Sequence, residues 1–170
     1  MRILNFLIVV AICIIPVMVA AKCDYNKQVM ALALNMYHEA RGDGLNAMRL
    51  VGEVTINRTK SEDFPDTICE VVYQKSQFSW TNNRKLRNSK PSEEEVWNQA
   101  LLLAKKLVQE DPLYYNNEDI LYFLNPKDMH KHPKWAVNEY IKVGNHVFYY
   151  GPNYEPEVDA QYIDIKYSPI

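Results

Sequence analysis

The sequence predicts an α+β domain, mainly helical with a small antiparallel sheet near its end, and three observations carry that prediction. Apolar residues recur at spacings of three and four from Lys27 to Arg41, again from Leu45 to Arg58, and again between Ser92 and Leu107; that is the period of a helix with one buried face. Beyond Asp111-Pro112 the apolar alphabet changes from Leu and Ala to Tyr, Phe, Ile and Val, the residues that fit a pleated, half-buried surface. Gly144-Asn145 then divides one such run in two, as a tight hairpin turn does.

Residues 1–21, MRILNFLIVVAICIIPVMVAA, carry one early cation, Arg2, then an apolar run from Ile3 and small residues at Val19, Ala20 and Ala21. This is the pattern of a secretory signal cleaved after Ala21. A second reading keeps residues 3–21 as a membrane anchor, because their length approaches the ~20 residues a spanning helix needs. Either reading places the rest of the chain outside the cytoplasm, secreted, periplasmic or in the cell envelope, with membrane contact only through this segment. Residues 22–150 form one domain, the usual organisation for a chain of 170 residues. Residues 151–170, rich in Pro, Tyr and acid without a period, form a C-terminal tail.

Within the domain, Val29, Leu32, Ala33, Met36 and Ala40 stripe the first helix, which Gly42 and Gly44 end. The second places Ala47, Leu50, Val51 and Val54 on one face, and Gly52 inside it signals close packing against a neighbour. Residues 59–90 read as irregular, with one helical turn at Ile68 to Tyr73 and a polar loop, SWTNNRKLRNSKP, over 79–91; long loops of this kind often bind ligands. Ser92 with Glu95 forms a capping box for a third long helix, striped by Val96, Ala100, Leu103, Ala104 and Leu107. Strands are predicted at 120–126 and, folded about Gly144-Asn145, at 140–150.

Removing Arg2, the only charge in the leader, from 19 basic and 21 acidic residues leaves a formal charge of −3. That balance excludes a nucleic-acid binder. Of three cysteines, Cys13 lies in the leader, and Cys23 and Cys69 could form one disulfide in an oxidising compartment. One bridge does not staple a miniprotein, so the core comes from apolar packing. No internal repeat is present, and a monomer is expected.

The stretch YHEARGDG, residues 37–44, concentrates His38, Glu39, Arg41 and Asp43 at the end of the first helix. At about 100° per residue, Glu39 falls beside Leu32 at the edge of the apolar stripe. A carboxyl at such a border loses water, which raises its pKa toward the range a general acid needs; the plainer alternative is an ion-paired helix end. A zinc helix is ruled against by Gly42, where the second histidine would stand. His130 and His132 have metal-compatible spacing in a lysine-flanked loop, a setting in which histidines are ordinarily solvated, so no metal and no cofactor is assigned. Gln77, Phe78, Ser79 and Trp80 place an amide, a hydroxyl and two aromatics in the long loop. That mixture suits sugar rings, which stack on aromatic faces and need paired donors and acceptors; equally, Phe78 and Trp80 anchor the loop in the core. Tyr114, Tyr115 and Tyr122 could line the same groove.

These residues resemble the SleB-type cell wall hydrolases, the family of spore-cortex-lytic enzymes. The resemblance runs from about residue 30 to 150 and rests on YHEARGD, Asn57-Arg58, FPDTICEVVYQ at 64–74, QFSW at 77–80, FLNP at 123–126, Trp135 and GNHVFY at 144–149. It implies a lysozyme-like fold, peptidoglycan as substrate and Glu39 as the catalytic acid. Asp43 stands where the family usually has glutamate, and Cys69 falls where the family commonly has cysteine, which weighs against its pairing with Cys23.

The expected activity is cleavage of the glycan strand between N-acetylmuramic acid and N-acetylglucosamine, by a lytic transglycosylase or a muramidase. A muramidase uses two carboxylates, with Asp43 and Glu53 as candidates for the second; a transglycosylase needs only one acid, which later takes the proton of the attacking muramyl C6 hydroxyl. Gln77, Ser79 and Asn125 are expected to hold hydroxyls or acetamides, Tyr37, Phe78 and Trp80 to wall the groove, and His146 is divided between a structural and a functional role. The competing classes are a noncatalytic peptidoglycan-binding module and a stem-peptide amidase.

Overall fold

A computed structural model describes residues 23–109 and 119–155; the leader, Tyr114, Tyr115 and most of the predicted tail lie outside them. Five helices, α1 (Tyr25–Ala40), α2 (Gly44–Arg58), α3 (Ile68–Tyr73), α4 (Arg84–Asn88) and α5 (Glu94–Gln109), precede strands β1 (Ile120–Leu124), β2 (Glu139–Val143) and β3 (His146–Tyr150). This is the α+β order predicted, helices first and sheet last.

α1 begins two residues before the apolar period, because the Asp24 carboxylate accepts from the Lys27 backbone N–H at 3.0 Å and caps it. The predicted stripe is buried, and Ala31, Asn35 and Tyr37 are buried with it. A stripe was too narrow an expectation, since α2, α3 and α5 all pack on this helix. Asn35 is buried without loss. Its amide donates to Thr55 Oγ1 at 3.1 Å, its carbonyl accepts from Trp80 Nε1 at 3.0 Å, and Thr55 donates to the Val51 carbonyl at 2.8 Å. Such a relay joins α1, α2 and the long loop while leaving its buried polar groups satisfied.

α2 lies close to its neighbours at Gly52, as its glycine predicts: a Cβ there would sit 2.6 Å from Leu107 Cδ1 and 2.7 Å from Met36 Sδ. α5 starts at Glu94, one residue later than the Ser92 capping box implies, with the Glu93 carbonyl accepting the Trp97 N–H. A tertiary contact sets that start. The Glu93 N–H donates to the Tyr37 hydroxyl at 3.2 Å, and Arg41 Nε lies 3.0 Å from the Glu93 carboxylate. On α5 the buried residues are Trp97, Ala100, Ala104 and Leu107; Trp97 takes the place assigned to Val96.

The long loop is more regular than its composition suggests. α3 occupies the single turn expected, but residues 79–91 hold a 3-10 turn (Ser79–Asn82) and α4, nucleated by the Asn83 side chain accepting from Lys85 and Leu86 N–H. α4 buries no residue, so no apolar period announced it. The sheet has order β1-β3-β2, antiparallel throughout, with Phe123 opposite Phe148 and Val143 opposite His146. The hairpin turns at Gly144-Asn145 as predicted, Gly144 adopting φ +60°. β1 stops at Leu124 and not at 126, because Asn125 caps a 3-10 turn over Pro126–Asp128.

Cys23 and Cys69 form a disulfide with Cα atoms 6.0 Å apart, joining the entry to α1 with α3. It closes a 46-residue loop, and loop-closure entropy makes such a bridge worth about 2–4 kcal/mol. We expect Cys23→Ser/Cys69→Ser to lose that amount in urea unfolding and wild type in reductant to match it; equal stabilities with and without the bridge would contradict this.

Candidate active site

Glu39 sits in the last turn of α1, where packing against neighbouring elements removes most of its water. Burial pushes its carboxyl up to about 7, against the smaller downward pull of the Arg58 charge. The group is therefore protonated for a large part of the time near neutrality, as its place at the stripe's edge predicts. His38 beside it stacks on Trp80, ring centres 4.7 Å apart and planes 22° from parallel. Burial, then the Arg41 charge, lowers the imidazole's pKa, so this neighbour is neutral at neutral pH.

Arg58, the last residue of α2, brings the opposing charge and is itself buried. Its Nε donates to the Leu121 carbonyl at 2.8 Å and its Nη1 to Gln77 Oε1 at 3.4 Å. The guanidinium also lies over the rings of Phe64, Phe78 and Tyr122, 4.8, 5.5 and 5.8 Å from their centres. Burial lowers its pKa to about 10, opposed by Tyr122 and Glu39, which still leaves it charged at neutral pH. Next to it, the Asn57 amide donates to the Ile120 carbonyl at 3.1 Å. The Asn57-Arg58 pair thus docks the end of α2 on β1 and buries a cation whose charge is felt at Glu39. Sequence reasoning noted this dipeptide only as part of a resemblance and gave it no role; a buried arginine carries no periodic signature that would have revealed it.

In QFSW the side chains alternate. Gln77 and Ser79 are exposed, whereas Phe78 and Trp80 are 3% and 4% exposed. Of the two readings of those aromatics, the structure places them as core anchors: Trp80 is fixed by Asn35, and Phe78 stacks on Phe123 at 6.2 Å. Tyr37, expected as a groove wall, is likewise 3% exposed, held by Glu93 and edge-on to Trp97. Asn125 is half-buried and spends its amide on Asp128 Oδ2 at 2.8 Å and its carbonyl on the Lys127 N–H. Half-exposed aromatic surface next to Arg58 includes Phe64 and Tyr122, and Tyr122 stacks on half-exposed Trp135 with centres 4.8 Å apart.

The two candidates for a second reacting carboxyl are both engaged. Glu53 is buried against Arg49 Nε at 3.0 Å. Burial would raise Asp43, but hydrogen bonds from the Asn145 N–H, the Asn145 amide and His146 outweigh it and hold the carboxyl below its ordinary value. His146 is buried, its Nδ1 2.8 Å from Asp43 Oδ2, which gives it a structural part. His130 and His132 are exposed.

The chain matches the Cell Wall Hydrolase family over residues 42–149; the match begins after Glu39, which falls outside it. The chain is 23% identical over 128 residues to the spore cortex-lytic enzyme of Bacillus subtilis (strain 168), an alignment that covers 72% of this chain and 37% of that protein. It therefore spans little more than a third of that relative's length. Among solved structures, it superposes on the catalytic domain of the germination-specific lytic transglycosylase SleB from Bacillus anthracis with TM-score 0.58 and 24% identity, covering 77% of this chain and 99% of that one. The catalytic domain of the Bacillus cereus SleB protein gives TM-score 0.56 and 26% identity, with 75% and 94% covered. The fold is thus the lysozyme-like α+β arrangement of those domains.

Between pH 4.5 and about 7 folded Glu39 holds a proton that the unfolded chain has released, so wild type loses stability as pH rises through that window. Glu39→Gln has no such loss. We predict that it equals wild type below about pH 4 and exceeds it at pH 8 by about 1–3 kcal/mol, at 1.36 kcal/mol per pKa unit, checked by urea unfolding at both pH values. A pH-independent difference would contradict the buried acid.

Proposed function

Because this chain belongs to the cell wall hydrolase family, we propose that it degrades peptidoglycan, cutting the glycan between N-acetylmuramic acid and N-acetylglucosamine with Glu39 as general acid. One observation carries this reading: a carboxyl at a helix end kept dry enough to titrate at about 7. An acid of that strength can protonate a glycosidic oxygen near neutral pH and still act as a base once it has done so.

The chemistry then runs in two halves. Glu39 gives its proton to the leaving oxygen as the anomeric C–O bond breaks, and the new carboxylate is supported by the buried Arg58 charge. In the second half the muramyl C6 hydroxyl forms a bond to the anomeric carbon while Glu39 takes its proton, which leaves a 1,6-anhydro end. The engagement of Asp43 and Glu53 by other groups favours this one-acid route over a muramidase with two carboxylates. Exposed Gln77 and Ser79 are available to sugar hydroxyls or acetamides, and half-exposed Tyr122 and Trp135 to sugar faces. An amidase that uses a cysteine nucleophile is disfavoured, since Cys69 is held in the disulfide. That bridge also suits work outside the cytoplasm.

The test digests purified sacculi with wild type and Glu39→Gln and weighs the products. Expected are anhydro-muramyl ends from wild type and a loss of about 10²- to 10⁴-fold in the variant. Reducing ends would replace transglycosylation by hydrolysis, freed stem peptides would make the protein an amidase, and full activity in the variant would remove Glu39 as the acid. Wild-type kcat/KM is expected to fall above pH 7, as the acid loses its proton.

A further inference from the structure

We propose that Asp43 is a positioning residue, clamping the turn after α1 to the β2–β3 hairpin and thereby holding the helix end that carries Glu39; this rests on Glu39 being the acid. Asp43 follows Glu39 by four residues, and its N–H donates to the Ala40 carbonyl at 3.0 Å, so its backbone belongs to the turn that closes α1. The side chain faces the hairpin. Oδ1 accepts from the Asn145 backbone N–H at 3.0 Å and from the Asn145 amide at 2.7 Å, and Oδ2 lies 2.8 Å from His146 Nδ1.

Those contacts exceed what a solvated acid makes by chance. The Asp43 side chain is 8% exposed and that of His146 9%. Gly144 lets the hairpin tip come this close, for a Cβ there would stand 2.6 Å from the Cβ and Oδ1 of Asp43. Asn145 is fixed in turn by Lys127 Nζ, 3.0 Å from its Oδ1. From His146 the packing continues to Phe123, 5.5 Å away edge to face, then to Phe78, which lies under the Arg58 guanidinium. The hairpin therefore bears on the turn that follows Glu39, through Asp43, and on the ring beneath the Arg58 guanidinium, through Phe123.

A reacting carboxylate needs an oxygen lone pair aimed at the substrate. Here three nitrogen contacts occupy both oxygens, and the strong donors leave a weak base. Hydrogen-bonded partners that orient the ligands of metal sites are commonly worth about 10- to 100-fold in activity, and a clamp on the helix end that carries Glu39 is expected to act on that scale.

The deciding comparison is Asp43→Ala against Asp43→Asn in the full chain. Asparagine keeps an oxygen for Asn145 and offers its N–H to His146 Nδ1, so it preserves the clamp and removes only the charge. On sacculi, below the melting temperature of each variant, Asp43→Ala is expected to lose about 10- to 100-fold in kcat with KM near wild type, while Asp43→Asn retains most of the activity. Equal losses in both, or an unchanged kcat in Asp43→Ala, would overturn the proposal. A second readout is independent of turnover. By carbon NMR the Glu39 carboxyl is expected to titrate near 7 in wild type and Asp43→Asn, and to move toward 4.5 in Asp43→Ala as water enters the loosened turn; one midpoint in all three would also overturn it. If wild type releases nothing from sacculi, or Glu39→Gln is fully active, the proposed function fails while this titration still decides the clamp.

Discussion

The molecule is organised around a conflict at the end of α1: a carboxyl largely removed from water, within the field of a guanidinium that is also removed from water. Each group alone would be costly, since burying an unpaired charge disfavours the charged form. Together they settle into an arrangement in which Arg58 stays charged and Glu39 shares its time between two protonation states. Arg58 tolerates the position because the Leu121 carbonyl, the Gln77 amide oxygen and three aromatic faces replace its hydration.

Much of the remaining structure keeps that pair in place. The Asn35 relay ties the long loop to α1 through Trp80, so the exposed Gln77 and Ser79 project from a segment whose alternate residues are locked in the core. Asn57 and Arg58 tie α2 to β1. The hairpin reaches back across the sheet to the turn after Glu39 through Asp43. Together these ties join α1, α2, the long loop, β1 and the hairpin into one frame that includes the helix end carrying Glu39.

The same economy separates the residues that could touch a substrate from those that hold the site. Tyr37, Phe78 and Trp80 look like a sugar platform as residue types, yet their rings fill the core and contact other rings. Half-exposed aromatic surface near the buried arginine comes instead from Phe64 and Tyr122, with Trp135 stacked on Tyr122.

By itself, the sequence determined what depends on local period and local backbone preference. The stripes of α1 and α2, the tight approach at Gly52, the turn at Gly144-Asn145 and the edge position of Glu39 could each be read from residues within a helix or hairpin, because 3.6- and 2-residue periods translate directly into faces. Tertiary structure alone decided which polar groups meet. Arg58 reaches Leu121 across 63 positions, Asp43 reaches His146 across 103, and Glu93 sets the start of α5 by meeting Tyr37 56 positions earlier. Contacts over such separations leave no period in the chain, and whether an aromatic ring ends as wall or as core depends on elements that a sequence reading sees one at a time.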